Sequence, residues 1–398
     1  MLKLRDVCTY SKGKKPFSLC EEKTNEYSVP YINIKAFEKG IIAEYTNGEK
    51  CNLCNDSDLL MVWDGARCGL IGKAKKGAVG STLMKILPNS NVHKEYLYHF
   101  ISSKFQILNT KPKGVGIPHI EPTLLWNFEL VLPDLPNQQA IVSKIEELLS
   151  DLENGKQQLQ TALQKLKIYR QSFLKYAFEG RLTNPDVKPG QLPKGWKYIK
   201  LIDACDKIQD GSHFSPQNQY DEPGKNRFRY ITAKNIRNDY MDFRKLSYVD
   251  KEFHESIYGR CNPEYGDVLL TKDGINTGEV TLNTLHEPFS LLSSVCIFKT
   301  KKNQLKSSFL KYFIQSPLGN RAILDSMTGT AIKRIVLRKI KDAQIILPTI
   351  EEQQLIVDEL ESKLTVCNKL EETITQSLLQ SETLKQSILK KAFEGKLI

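Results

Sequence analysis

No stretch of the 398 residues approaches the ~18 consecutive apolar residues of a membrane span, and Met1-Leu2-Lys3-Leu4-Arg5 opens no secretory leader. A cytoplasmic protein with no membrane partner is expected. The phosphate loop G-x-x-x-x-G-K-[S/T] is missing, so nothing points to an ATPase. Missing too is the Asn/Asp-Pro-Pro-aromatic tetrapeptide of an amino-methyltransferase; Asn262-Pro263-Glu264 and Asp221-Glu222-Pro223 both fail it. Gly114-Val115-Gly116 stops short of a dinucleotide fingerprint and reads as a loop. The nine scattered cysteines, an odd number, fit reduced thiols rather than a disulfide framework. A chain without these signatures is expected to catalyse nothing and to hold no cofactor.

What is present is a globular composition, 40% apolar and 26% charged, long enough for two or three domains. The net charge of +11 suggests a polyanionic partner. The chain also repeats itself. Leu132 to Leu182 lies on Leu347 to Leu397 at a constant offset of 215, without a gap, and 18 of 51 positions are identical. The ends match best: Leu132-Pro133 and Gln138-Gln139 face Leu347-Pro348 and Gln353-Gln354. Ala177-Phe178-Glu179-Gly180-Arg181-Leu182 faces Ala392-Phe393-Glu394-Gly395-Lys396-Leu397.

Each copy reads as a helix of ~42 residues, ~63 Å long. Prolines 133, 136 and 348 precede the helices, and Gly180 and Gly395 are left-handed stops. Ile145, Leu148, Leu152, Gly155, Leu159, Ala162, Leu166, Tyr169 and Phe173 form a coiled-coil seam. Its second copy, Leu360, Lys363, Cys367, Leu370, Ile374, Ser377, Ser381, Leu384 and Ile388, is weaker. The two are expected to pair antiparallel.

The segments before the helices repeat more faintly. Leu4-Arg5-Asp6-Val7-Cys8 resembles Leu201-Ile202-Asp203-Ala204-Cys205, and Asp64-Gly65 with Gly69 resembles Asp273-Gly274 with Gly278. Short β-branched runs and turn residues, with helices near 95–105 and 309–316, make each an α+β domain. The architecture is thus two mixed domains, 1–131 and 200–346, alternating with helices 132–183 and 347–398, with a linker at 184–199. Asp58/Asp64 and Asp267/Asp273 are expected to shape turns rather than bind metal. Cys51-x-x-Cys54 lacks the four ligands of a zinc site and has no counterpart in the second half, so buried thiols are expected and no metal.

Charge separates the parts. Residues 1–131 carry +5 and 191–346 carry +8, whereas 132–190 carry +1 and 347–398 carry −3. Two basic domains on a neutral rod suit two readers of a duplex. The repeated Leu-Pro, Gln-Gln and Ala-Phe-Glu-Gly-Lys/Arg-Leu motifs, with Leu192-Pro193-Lys194-Gly195-Trp196, resemble the specificity (S) subunit of type I restriction–modification systems over the whole chain. That resemblance implies two target recognition domains, each reading half of a split, asymmetric site on double-stranded DNA. It implies helices that set the gap and dock two modification (methyltransferase) subunits. S-adenosylmethionine, ATP and Mg are then expected on those and on restriction subunits, not on this chain. One departure is that the first half lacks an equivalent of 192–196. The competing reading is a coiled-coil scaffold joining protein partners without reading DNA.

Base edges favour Arg, Lys, Asn and Gln, and phosphates favour Lys and Arg. The candidate DNA contacts in the first domain are Lys12, Lys14, Lys15, Lys35, Arg67, Lys73, Lys75, Lys76, Lys111, Lys113 and His119. In the second they are His213, Arg227, Arg229, Lys234, Asn235, Arg237, Lys333, Arg334, Arg338 and Lys339. His119 and His213 are expected to be satisfied polar side chains rather than metal ligands.

Overall fold

Alternating apolar residues and turn formers build strands, and in both halves they build the same main sheet. The computed structural model describes residues 2–110, 117–188, 190–324 and 334–397. It forms two units, Met1–Gln160 with Thr375–Ile398, and Thr161–Ile374.

In the first unit an antiparallel sheet runs Cys8–Lys12, Leu83–Pro88, Leu59–Val62, Ile71–Lys73. A second sheet runs Tyr45–Thr46, Val29–Ile32, Gly77–Val79, Leu53–Cys54, its middle pair parallel. In the second unit the first sheet runs Cys205–Asp210, Val295–Thr300, Val268–Thr271, Val280–Leu282. The other runs Gln219–Tyr220, Ser247–Asp250, Arg227–Ile231, Ser290–Leu291, with the last pair parallel. The duplication therefore extends to the strand order of the main sheet and to the parallel pair of the second, whose fourth strand lies on opposite edges: Leu53–Cys54 beside Gly77–Val79, but Gln219–Tyr220 beside Ser247–Asp250.

One contact explains a glycine in each copy. A Cβ on Gly13 would sit 2.1 Å from the Gly80 carbonyl oxygen, and one on Gly211 would sit 2.1 Å from that of Leu291. Both first strands leave their sheet against the end of a parallel strand, and only glycine permits the approach.

The long helices are Leu135–Phe178 and Ile350–Phe393, 44 residues each. Asp134 accepts from the Asn137 N–H at 3.0 Å and Thr349 from the Glu352 N–H at 3.3 Å, so both starts are capped, with Pro136 inside the first turn. Gly180 (φ 78°) and Gly395 (φ 70°) end them, as expected. Within the first unit Ile145 packs on Leu389 and Ala392, and Lys156 meets Glu382 at 2.6 Å. Within the second, Arg170 meets Asn368 at 2.7 Å, and Leu174 clusters with Leu360 and Leu364. Residue numbers fall on one helix as they rise on the other, so the pairing is antiparallel. The expected second seam needs correction at Lys363, Leu370 and Leu384, which are exposed; Leu364 is buried in place of Lys363. Tyr169 is exposed in the first. Lys363, Leu370 and Leu384 share one heptad position, and the buried Leu360, Leu364 and Cys367 run at a spacing of four then three, so the seam passes one residue later than expected.

Each helix end is seated on a domain by the same aromatic triad. Phe178 meets Phe309 and Phe313 edge-on at 5.1 and 5.5 Å, and Phe393 meets Tyr96 and Phe100 at 5.1 and 5.3 Å. Each helix start is joined to a domain by a fully buried glutamine. Gln138 donates to the Asn91 and Pro133 carbonyls and accepts from the His93 N–H. Gln353 does the same with Gln304, Pro348 and Lys306.

The linker supplies what the first half lacks. Glu352 accepts from Thr183, Asn184 and the Trp196 indole. The Lys197–Lys200 strand pairs along Gln344–Leu347, whereas among the described residues the first unit has only Leu2–Lys3 on Glu129–Leu130. Among the described residues no helix is long and apolar enough to cross a membrane.

Candidate nucleic-acid interface

In the first unit, Lys12, Val62 and Leu83 mark one end of the main sheet, because Lys12 pairs with Met84 and Val62 with Leu83. Three connections gather there: residues 13–15, the turn 63–70 and the loop 80–82. Asp64 is their hub. It takes Lys12 Nζ at 3.1 Å and His119 Nδ1 at 2.7 Å. A bridge between Asp64 and His119 and the bond from the Ile120 N–H to the Trp63 carbonyl tie in the segment that leads to the long helix.

Arg67 stands on the turn and pairs with Glu38 at 3.1 Å. Lys14, Lys15 and Lys35 are exposed, with no carboxylate in ion-pair reach among the described residues. Gly80 bonds Ile32, which places the 34–39 helix carrying Lys35 beside this end. Lys73, Lys75 and Lys76 leave the opposite end, since Lys73 pairs with Leu59. Glu95 accepts from Lys73 and raises its pKa. Lys111 and Lys113 lie outside the described residues.

The second unit builds the same end with the charges rearranged. Asp273 takes Lys272 at 3.0 Å and Arg334 at 3.2 Å, and it bridges to Arg334 as Asp64 does to His119. Asp210, where the first copy has Lys12, is 3% exposed and takes Arg260 at 2.7 Å, His213 at 3.1 Å and Lys272 at 3.4 Å. Lys272, where the first copy has Trp63, is buried between two carboxylates. The position at the strand end has thus changed sign, and a buried lysine has entered to balance it.

Burial raises the Asp210 pKa, but the Arg260 hydrogen bond and the charges of Lys272 and His213 outweigh it and hold the group below the usual carboxylate value. A carboxyl lowered in the fold adds stability above its unfolded pKa, and that stability is lost as pH falls through the folded value. The melting temperature should therefore drop on acidification below about pH 4. D210N should melt lower at neutral pH and respond less to acid, which a thermal series from pH 7 to 3 checks.

The remaining candidates are dispersed. Lys234 donates to Ser247 at 2.9 Å, and Arg237 lies 3.5 Å from Glu279. Asn235 is fully buried, donating to the Asp242 and Lys245 carbonyls. Arg227 stacks on Tyr220 and Arg229 pairs with Glu287, both toward the far end of the second sheet. Arg338 and Lys339 sit on the helix Leu337–Asp342, Arg338 3.9 Å from Asp342. Lys333 lies outside the described residues.

Sequence reading missed Asp210, Lys272 and Arg260 as a network, although the repeated Asp-Gly turn beside Lys272 was a signal. It also missed two apolar tips. Ile275, 99% exposed, tops the 273–278 turn, and Phe214 borders an open cleft of about 770 Å³ with His213, Phe253 and Arg260. Asp58 and Asp267 do shape turns, each with a lysine at 2.9 Å (Lys85 and Lys299). The Cys54 thiol donates to the Lys75 and Gly77 carbonyls. No group of three or more His, Cys, Asp or Glu is placed to hold a metal among the described residues.

Comparison with known proteins agrees with this geometry. The family described as type I restriction modification DNA specificity domain matches residues 1–161 and 193–380. The MjaVIII type I restriction enzyme specificity subunit of Methanocaldococcus jannaschii is 26% identical over 356 residues, covering 86% of this chain and 81% of its own. The EcoBI specificity subunit of Escherichia coli is 25% identical over 344 residues, 82% and 71%. Among solved structures, a chain of a type I R-M system superposes with a TM-score of 0.74 at 19% identity, covering 99% of this chain and 97% of that one. The HsdS subunit from Thermoanaerobacter tengcongensis gives 0.58 at 19%, covering 99% and 96%. With its duplicated sheets, paired helices and two family matches, this chain belongs to the type I restriction–modification DNA specificity subunits.

Proposed function

We propose that the two domains are target recognition domains, each reading a different half of a split, asymmetric site on double-stranded DNA. The observation that carries this reading is one scaffold presented twice with different side chains at the same sheet end. Lys12, Trp63, Asp64 and His119 stand where Asp210, Lys272, Asp273 and Arg334 stand in the second copy. A shared frame keeps the docking geometry, the buried Asp210 and Lys272 reshape its support in the second copy, and the exposed Lys12 and His119 in one copy and Arg334 in the other change what is read.

The paired helices set the gap and dock two modification subunits. Exposed Ile168, Tyr169, Val366 and Leu370 offer apolar surface for that docking. S-adenosylmethionine belongs to the modification subunits, and ATP and Mg to the restriction subunits. This chain supplies binding and register, and catalysis lies with its partners in the cytoplasm.

Mapping N6-methyladenine across the source genome, with and without the gene, tests the reading. Deletion should erase methylation at one split motif, and replacing residues 1–131 should alter one half only. An unchanged methylome in cells expressing the modification subunit would favour a scaffold.

A further inference from the structure

The second domain carries a short hairpin, Ile236–Arg237 paired with Tyr240–Met241, whose tip is Asp239. Asp239 holds a left-handed φ of 73°, a conformation that aspartate tolerates better than most residues. The tip is fixed from its own domain: Asn238 accepts from the Val280 N–H at 3.1 Å, and the Asp239 N–H bonds the Val280 carbonyl. Its carboxylate faces outward to the helices. One oxygen takes Arg170 of the first long helix at 2.5 Å, and the other takes Lys311 and Gln315 of the domain helix at 3.0 Å each. Arg170 also donates to Asn368 of the second long helix at 2.7 Å. Lys311 is more than nine-tenths buried, so this is a desolvated charge cluster.

The domain's apolar seat on the helices centres on Leu174, Ala177 and Phe178. The buried Gln353 fixes the start of the second long helix to the same domain. Arg170 lies one helical turn beyond Leu174, ~6 Å along the axis, and adds a directional point of attachment on the first long helix. In the first unit Lys385 occupies the position aligned with Arg170, and it has no ion-pair partner among the described residues. Tyr98, aligned with Lys311, faces Lys73.

We propose that Arg170, Asp239 and Lys311 latch the second domain against rocking on its helices, making Arg170 and Asp239 positioning residues for the gap between half-sites. The proposal rests on the split-site reading. One added base pair moves a half-site by ~3.4 Å and turns it by ~34°. A latched domain rejects that displacement and a rocking one accepts it.

The test co-expresses the full chain with its modification subunits and maps N6-methyladenine for wild type, R170M, D239N and R170K. In R170M and D239N both half-sites should stay the same, while sites one base pair longer or shorter gain roughly tenfold relative to the original gap. R170K should restore the single gap. The latch is overturned if R170M keeps the wild-type gap ratio, or if methylation falls evenly with no new gap. Arg170 is partly exposed, so R170M remains informative if D239N fails to assemble. A wild type that methylates no split site would overturn the split-site reading first, before any variant is compared.

Discussion

Replacing Gln353 with leucine should destabilise the second unit by about 3–5 kcal/mol, although leucine nearly matches glutamine in volume. The side chain is fully buried and makes three hydrogen bonds to backbone: the Lys306 N–H, the Gln304 carbonyl and the Pro348 carbonyl. Leucine leaves those three groups without partners and without water. Each such group costs about 1–3 kcal/mol, so the loss comes from orphaned backbone and not from a cavity. Gln138→Leu should cost the first unit a similar amount, through the His93 N–H and the Asn91 and Pro133 carbonyls. The adjacent Gln354 is exposed and its amide bonds only Asp358 among the described residues, so Gln354→Leu should be nearly neutral. Denaturant titration of the three variants checks the ordering. A Gln353→Leu loss under about 1 kcal/mol would show that the backbone finds other partners.

That glutamine illustrates how much of the fold was legible. Gln-Gln recurs at a fixed offset, and its first member turns out to weld helix start to domain. Gly180 and Gly395 were readable as stops because a left-handed end is a local requirement. The duplication of the domains was faint in sequence yet the main sheet repeats in full strand order, since a sheet needs only apolar alternation and turns, which many sequences satisfy. The second helical seam misled at Lys363 and Leu370 because steps of three then four and of four then three both fit a heptad, and burial follows Leu360 with Leu364 rather than Lys363.

The candidate interface was less legible, for a reason of topology. Lys12, Lys35, Arg67 and His119 are far apart in sequence but share one sheet end, whereas Lys73, Lys75 and Lys76 follow Arg67 by a few residues and leave at the other end. A strand of three residues is enough to separate them. Asn235 has the right chemistry to read adenine, but its amide is used by its own loop. The exchange of Lys12 for Asp210 and of Trp63 for Lys272 is visible only once strand register aligns the two copies. Latch and hub alike depend on carboxylates, Asp239, Asp210 and Asp273, that a search for basic residues passes over.

Topology also yields the sharpest test of the interface. Lys14→Gln with Lys15→Gln should weaken binding of the assembled complex to target duplex by about 10–100-fold at low salt and reduce the slope of log K against log salt by ~1.8. These lysines are exposed at the hub end, and no carboxylate neutralises them among the described residues, so each can release a counterion from a phosphate. Arg67→Gln should cost less, because Glu38 already shares its charge. Lys75→Gln with Lys76→Gln removes the same net charge from the opposite end of the sheet and should leave affinity within about threefold of wild type. Fluorescence anisotropy across a salt series measures the three variants against wild type. Phosphate contacts hold register without reading bases, so the methylated motif should be the same in each variant. If the two double variants weaken binding equally, overall charge and not this sheet end governs the encounter with DNA.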